Sequence, residues 1–299
     1  GSSYEVYSET SKSYDGFRAP IGLGAFRRAF AEVARRSNAP TATLDLLDAG
    51  CGSGSYLSAL KDDVGSAVGL EFNEKMIEKA SEKLPGVEIT QGTVTDLPFA
   101  DGSFDCVLTT QVLHHLQRDG IDDFSNVATA ASEVFRCLRP GGAWIVQTQT
   151  PEQREAAARG TQPPRPGAGE EIPRVGDGFW WTPLIPAASR TLAKHFPPLK
   201  TLEAICRDAG FSSFRSEIPV EPLVQIDKYL DAGAPFDPAF RASDSTWSLA
   251  SAEELEAGLA MWRRKIDAGE ASAWLAEREA VRHWIGQTTT VVATKAYVH

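Results

Sequence analysis

Leu44-Asp45-Leu46-Leu47-Asp48-Ala49-Gly50-Cys51-Gly52-Ser53-Gly54 reads as a buried strand entering a glycine-spaced turn. Leu44, Leu46 and Leu47 form the short apolar run expected of a strand covered on both faces. Three glycines at alternate positions free the backbone to turn tightly and to let a ligand come close. Ser55 to Leu60 can open a helix whose first N–H groups face the turn. Asp48 is expected at the carboxyl end of the strand, where open α/β sheets bind ligands.

The glycine spacing narrows the ligand. A dinucleotide fingerprint needs G-x-G-x-x-G. Counted from Gly50, the sixth position is Ser55, and the third glycine comes one residue early, at Gly54. The pattern present, D-x-G-x-G-x-G, resembles the first motif of the class I S-adenosylmethionine-dependent methyltransferases. A nicotinamide-dependent oxidoreductase is disfavoured by the same spacing.

Outward from the turn, strands and helices alternate. Ala67–Glu71 is a second strand, and Asn73 is a good N-cap for a helix over Glu74–Leu84 that Pro85-Gly86 stops. Val87–Gln91 and Phe104–Thr109 are further strands, with a helix over Ile121–Leu138 after them. Arg139-Pro140-Gly141-Gly142 reads as a turn before a fifth strand, Ala143–Gln149. Such alternation argues a parallel, doubly wound sheet. Upstream, Ile21–Ser37 has helical apolar spacing and ends before Pro40. Downstream, helices are expected near Ala187–His195 and Thr201–Ala209, then a strand over Phe211–Val220. The family resemblance adds a last strand pairing antiparallel with that sixth one, best placed at Thr288–Ala296.

The expected fold is therefore α/β: a doubly wound, seven-stranded, mostly parallel, Rossmann-like sheet. It has an N-terminal helical cap at 4–38, a cofactor-binding core at 39–150 and a mobile loop and lid at 151–198. The end of the core, 199–299, carries a helical insertion at 222–287 over the acceptor site. Ser251-Ala252-Glu253-Glu254 is a capping-box pattern at the start of one insertion helix. Trp180, Trp181, Trp247, Trp262, Trp274 and Trp284 suggest a closed, apolar acceptor pocket. The polar run Arg241–Trp247 is flagged as a substrate loop.

Composition bounds the partners. The 299-residue chain has 42% hydrophobic and 23% charged residues, ordinary for a soluble globular protein. Its formal net charge of −10 disfavours nucleic acid or an anionic membrane as partner. No apolar run is long enough to span a bilayer, and no signal peptide opens the chain. Gly1-Ser2-Ser3, without methionine, reads as a scar of cloning or proteolysis. Cys51, Cys106, Cys137 and Cys206 form no C-x-x-C pair, which fits reduced thiols and a cytoplasmic location. Oligomeric state is left open.

Site residues follow from the motifs. Glu71 ends the second strand, where a carboxylate can accept from both ribose hydroxyls of a nucleoside. Phe72 can pack on adenine. The run Leu97-Pro98-Phe99, with Asp101-Gly102-Ser103-Phe104-Asp105, resembles the loop before strand four in the ubiquinone-type branch of the family. That resemblance puts Thr93 and Val94 at the adenine, with Thr93 where relatives carry Asp or Asn. The run ending His114-His115-Leu116 again resembles this family, and the resemblance puts Thr110 and Gln111 where the loop backbone of relatives touches the cofactor's methionine moiety. Tyr14 and Arg18 resemble the pair that closes over that moiety; Arg can hold a carboxylate bidentately. With Asp48, Gly50, Cys51, Gly52 and Gly54 these make the expected cofactor set, for S-adenosylmethionine and its product S-adenosylhomocysteine. Cys51 reads as a small packing residue. His115 and Tyr14 are candidate proton acceptors. No metal is expected, because adjacent histidines lack zinc-ligand spacing.

The function these residues imply is methyl transfer from S-adenosylmethionine to a small-molecule O, N, C or S atom. Two alternatives keep the same motifs: a cyclisation or isomerisation without net methyl transfer, and a protein methyltransferase.

Overall fold

A computed structural model describes residues 19–117, 123–151, 153, 178–219 and 225–297. Its centre is β1, Asp45–Ala49, flanked by β2, Ser66–Glu71, and β4, Phe104–Thr110. β3, Glu88–Gln91, pairs with β2, and β5, Leu138–Thr148, with β4, all parallel. β7, Thr289–Thr294, runs antiparallel between β5 and β6, Ser213–Glu217. The order across the seven-stranded sheet is β3-β2-β1-β4-β5-β7-β6. The sheet expected from the alternation is present, its last strand antiparallel.

Successive side chains of a strand point to opposite faces, so each strand feeds two cores. Leu47, Val107, Trp144 and Val291 face one way, against α4 (Ser125–Cys137) and α6 (Leu199–Ala209). Leu46, Cys106, Ile145 and Val292 face the other, against α1 (Leu23–Ser37) and α2 (Ser55–Leu60). α1 presents Phe26, Phe30 and Val33 to that core at helical spacing. α3, Glu74–Lys83, starts as expected: the Asn73 side chain accepts from the Lys75 and Met76 N–H groups at 3.0 and 3.2 Å.

The structure moves several boundaries. Arg139–Gly142 is not a turn before β5 but an irregular part of it. Leu138 pairs with Phe104, and regular pairing resumes only at Cys106 and Ala143, so extra residues bulge out. Gly141, at φ 83°, supplies the left-handed residue, and its N–H donates to the Lys295 carbonyl at 3.0 Å. Phe211 lies outside β6: it follows the left-handed Gly210 cap of α6 and stacks on Trp144 at 5.9 Å. α4 begins at Ser125; the earlier part of that expected helix and Val220 fall at or beyond the edges of the described residues.

A third core lies beside the sheet. It joins α5 (Pro186–Ala193), α7 (Pro238–Ala242), α8 (Ser245–Ser248), α9 (Ala252–Asp267) and α10 (Ala271–Ile285). Trp180, Trp181, Trp247, Trp262 and Trp274 pack there. The capping box forms by half. Ser251 accepts the Glu254 N–H at 3.1 Å, but the Glu254 carboxylate reaches the Ala188 N–H at 3.2 Å, in the first turn of α5. A carboxylate at a helix N-terminus is favourable, so Glu254 ties α9 to α5. Among the described residues no helix is long and apolar enough to cross a membrane.

Candidate functional site

The carboxyl ends of β1, β2, β4 and β5 open into a cavity of about 800 Å³, within the range of ligand pockets. On one side, Gly50, Cys51 and Gly52 follow β1, Glu71 and Phe72 end β2, and Thr93 and Val94 follow β3. On the other, Thr110, Gln111 and His115 follow β4. Ten of the expected site residues are thus brought to the cavity wall.

Asp48 and Gly54 are not on that wall. Asp48 is fully buried within β1, opposite Gly69 of β2. Neither carboxylate oxygen has a hydrogen-bond partner among the described residues. Burial, and next the Glu71 charge, push its pKa up to about 7. Gly54 is a packing glycine: at φ 78°, a Cβ there would meet Leu84 Cδ1 at 2.7 Å. Tyr14 and Arg18 lie outside the described residues.

The glycine turn separates into roles. Gly50 leaves no room, because a Cβ would collide with Val112. Gly52, at φ 55°, faces open space: a Cβ there would meet nothing within 4 Å. This is the place where a ligand can approach the backbone. The Gly52 N–H donates to Glu71 Oε2, and the Asn73 N–H to Glu71 Oε1, each at 2.9 Å. A carboxylate offers about four acceptor sites. Two hold it in place, and the remainder suit the vicinal hydroxyls of a ribose. Phe72 is 69% exposed at the rim, an aromatic face available to a flat base. Thr93 and Thr95 hydroxyls pair at 3.0 Å beside it. These residues fit an adenosyl cofactor. Cys51 is buried, and burial pushes its thiol pKa well up, with Asp48 and Glu71 adding to the shift. A neutral, small thiol in the wall agrees with a packing role.

Across the cavity, Gln111 is one of two non-glycine residues with positive φ among the described residues, at 55°. Its N–H donates to the Gln147 carbonyl at 2.8 Å, which fixes the turn after β4 to the end of β5. A left-handed non-glycine residue at a ligand wall marks local strain held by its surroundings. The His114 and His115 rings lie against each other with centroids 3.9 Å apart and planes tilted by 41°, and His114 lies 4.7 Å from the Phe196 ring. Among the described residues no group of His, Cys, Asp or Glu could hold a metal ion.

Sequence reasoning missed part of the wall. Tyr56 donates to Gln147 Oε1 and accepts the Ile21 N–H at 3.1 Å, while Gln147 Nε2 donates to the Ile21 carbonyl at 2.8 Å. This triangle clamps the chain entering α1 onto the sheet ends. A glutamine closing the apolar run Trp144-Ile145-Val146 was the available signal. The aromatic pocket expected from the tryptophans is not there. The five described tryptophan side chains of the group pack among themselves, and Phe179, Leu192 and Phe196 line the cavity in their place. The Trp284 side chain is outside the described residues. Ser243, Asp244 and Ser245, from the run flagged as a substrate loop, do reach the cavity.

Comparison with known proteins agrees with this geometry. Residues 47–146 match the methyltransferase domain family. A demethylmenaquinone methyltransferase of Lactococcus lactis is 29% identical over 69% of this chain and 81% of its own length. Two further curated relatives are matched over only 37% and 55% of their lengths. A putative methyltransferase from an antibiotic biosynthesis pathway of Anabaena variabilis superposes with a TM-score of 0.64 at 18% identity, covering 93% of this chain and 98% of that one. The [4+2]-cyclase SpnF superposes with a TM-score of 0.50 at 18% identity, covering 99% and 95%. Both of these share the fold. Residues 47–146 thus carry a methyltransferase domain, and the chain as a whole shares the fold of the Anabaena protein.

Proposed function

We propose that the β1–β2–β3 side of the cavity holds S-adenosylmethionine and the β4–β5 side holds a small-molecule methyl acceptor. The observation that carries this is the Glu71 carboxylate, fixed by the Gly52 and Asn73 N–H groups beside the open face of Gly52. Glu71 receives the ribose hydroxyls, Phe72, Thr93 and Val94 receive the adenine, and the Thr110–Gln111 backbone meets the methionine end. Tyr14 and Arg18 are proposed to close over that end. Asp48 shapes the turn from behind.

When bound, the cofactor supplies a methyl group already activated on a sulfonium. The chain's own residues then orient the acceptor, exclude water and accept a proton where the acceptor must lose one. His115, on the wall after β4, is the candidate proton acceptor. The insertion at 222–287 serves the acceptor side through Ser243–Ser245. Four buried cysteines with no disulfide suit a reducing, cytoplasmic compartment. The net charge of −10 suits a small molecule better than nucleic acid.

Titration calorimetry with S-adenosylhomocysteine and with NAD tests the cofactor, and transfer of an isotopically labelled methyl group to a metabolite tests the reaction. One-to-one binding of S-adenosylhomocysteine and a labelled product are expected. Tight binding of NAD alone would sink the reading. Cofactor binding with a rearranged, unmethylated product would move it to a cyclisation.

A further inference from the structure

The wall that Thr93 and Val94 give to the cavity belongs to a short turn. Thr93 and Asp96 pair in an antiparallel bridge, and the Asp96 N–H donates to the Thr93 carbonyl at 3.1 Å. Val94 and Leu97 turn inward and join the core that α4 covers. Leu97 to Gly102 belong to no helix or strand, so their backbone groups need partners from outside.

Two side chains of α4 supply them. Glu133 Oε2 accepts the Leu97 N–H at 2.9 Å, and Arg136 Nη2 donates to the Leu97 carbonyl at 2.9 Å. One pair thus holds both backbone groups of the residue directly after the turn. Arg136 Nη1 donates to the Phe99 carbonyl at 2.7 Å and to Asp101 Oδ1 at 2.9 Å, and the Arg136 carbonyl accepts the Gly102 N–H at 3.0 Å. The pair itself is bidentate: Arg136 Nε donates to Glu133 Oε1 at 3.0 Å and Nη2 to Oε2 at 2.8 Å. That match of fork to carboxylate is what a guanidinium offers and an ammonium does not. The bond from Arg136 holds the Glu133 carboxyl below its ordinary pKa, so the pair stays charged near neutral pH. An ion pair three residues apart adds little to its own helix. Here its remaining bonding capacity goes to the loop.

Resting on the placement of adenine at Thr93 and Val94, we propose that Glu133 and Arg136 are positioning residues for the cofactor's base: they set the Thr93–Asp96 turn from behind, and through it the choice of adenine. A base edge is read by donors and acceptors held at fixed places, and a wall that shifts loses that reading. The ribose is held separately, by Glu71 with its own two N–H partners. Loss of the pair therefore costs base discrimination and spares the ribose contacts.

S-Adenosylhomocysteine and S-inosylhomocysteine differ only in the base, where a carbonyl replaces the amino group and an N–H replaces a ring acceptor. Each is titrated calorimetrically into the full chain. The parent protein is expected to bind the adenine compound about tenfold more tightly or better. Arg136→Met keeps the aliphatic stem and removes every side-chain donor. It is expected to bring the two ligands within about threefold of each other, by weakening the adenine compound. Arg136→Lys, with an ammonium in place of the fork, is expected to keep an intermediate preference. Glu133→Gln is the second variant should Arg136→Met fail to fold, and it is expected to narrow the preference in the same direction. A fold that is merely destabilised lowers both apparent affinities by the same fraction and leaves their ratio in place. An unchanged ratio in the folded variant overturns the proposal and leaves the methyltransferase reading standing. Equal binding of the two ligands by the parent protein overturns it together with the placement of adenine at Thr93 and Val94. Failure of S-adenosylhomocysteine to bind the parent protein overturns the methyltransferase reading as well.

Discussion

The Gly52 N–H and the Glu71 carboxylate are joined at 2.9 Å, so the turn after β1 and the end of β2 act as one piece. The other carboxylate oxygen takes the Asn73 N–H at the same distance, and Asn73 in turn caps α3. Three elements thus converge on one side chain. Glu71→Gln replaces one acceptor oxygen with an NH₂ group facing a backbone donor. It also removes the charge that strengthens hydrogen bonds to ribose hydroxyls. Calorimetry with S-adenosylhomocysteine is expected to show at least tenfold weaker binding, about 1.4 kcal/mol. Unchanged affinity in a folded variant would remove Glu71 from the site.

Gly52 and Gly54 make opposite predictions from the same residue type. Gly52→Ala adds a methyl group into open space at the cavity wall. Its folding cost is the left-handed backbone alone, roughly 1–2 kcal/mol, while the methyl group occupies the ligand's approach. Gly54→Ala carries the same backbone cost and also meets Leu84. Thermal melts and cofactor titrations on both variants should separate them. Gly52→Ala is expected to lose cofactor affinity out of proportion to its stability, and Gly54→Ala the reverse. A parallel loss in both would mean that the turn has no ligand side.

How far the sequence carried this reading depended on locality. Leu44 to Gly54 specified strand, turn and helix because the apolar run, the glycines and the helix start are contiguous. Asn73 was legible as a cap because its partners are two and three residues away. Asp48 lies near the carboxyl end of β1 as expected, but its complete burial was not legible, because strand position alone does not say how deeply a side chain is covered. Tyr56 and Gln147 were missed because their contact spans 91 residues of chain. The tryptophans were misassigned for a different reason: aromatic content signals burial, but which cavity wall it backs is decided by packing between α5, α8 and α9. The Arg139–Gly142 bulge looked like a turn because proline and glycine mark irregular backbone in both settings.

His115 sits on the wall after β4, its ring against His114. Proton removal by a positioned group typically contributes 10²–10⁴-fold. His115→Gln keeps the size and hydrogen-bonding character but cannot take a proton near neutral pH. With an acceptor that must lose a proton, kcat is expected to fall by roughly 10²-fold or more, while S-adenosylhomocysteine affinity holds. A kcat within a few-fold of the parent protein would leave His115 as wall only.

Asp48 predicts a pH dependence of stability. Its ordinary pKa is 3.8, and burial, reinforced by the Glu71 charge, raises it to about 7 in the folded chain. Between those values the folded state holds a proton that the unfolded state has released, so stability falls as pH rises. The favourable contribution is complete below pH 3.8 and is lost as pH climbs through 7. The slope from this one group is roughly 1.4 kcal/mol per pH unit. Asp48→Asn removes the titration with little change in shape. Urea unfolding at pH 5 and pH 8 is the measurement. From the lower to the higher pH, the Asn variant is expected to gain on the parent protein by roughly 3 kcal/mol. A gap between the two proteins that stays constant across that range would show that the Asp48 carboxylate is solvated and that the space behind the glycine turn is wet.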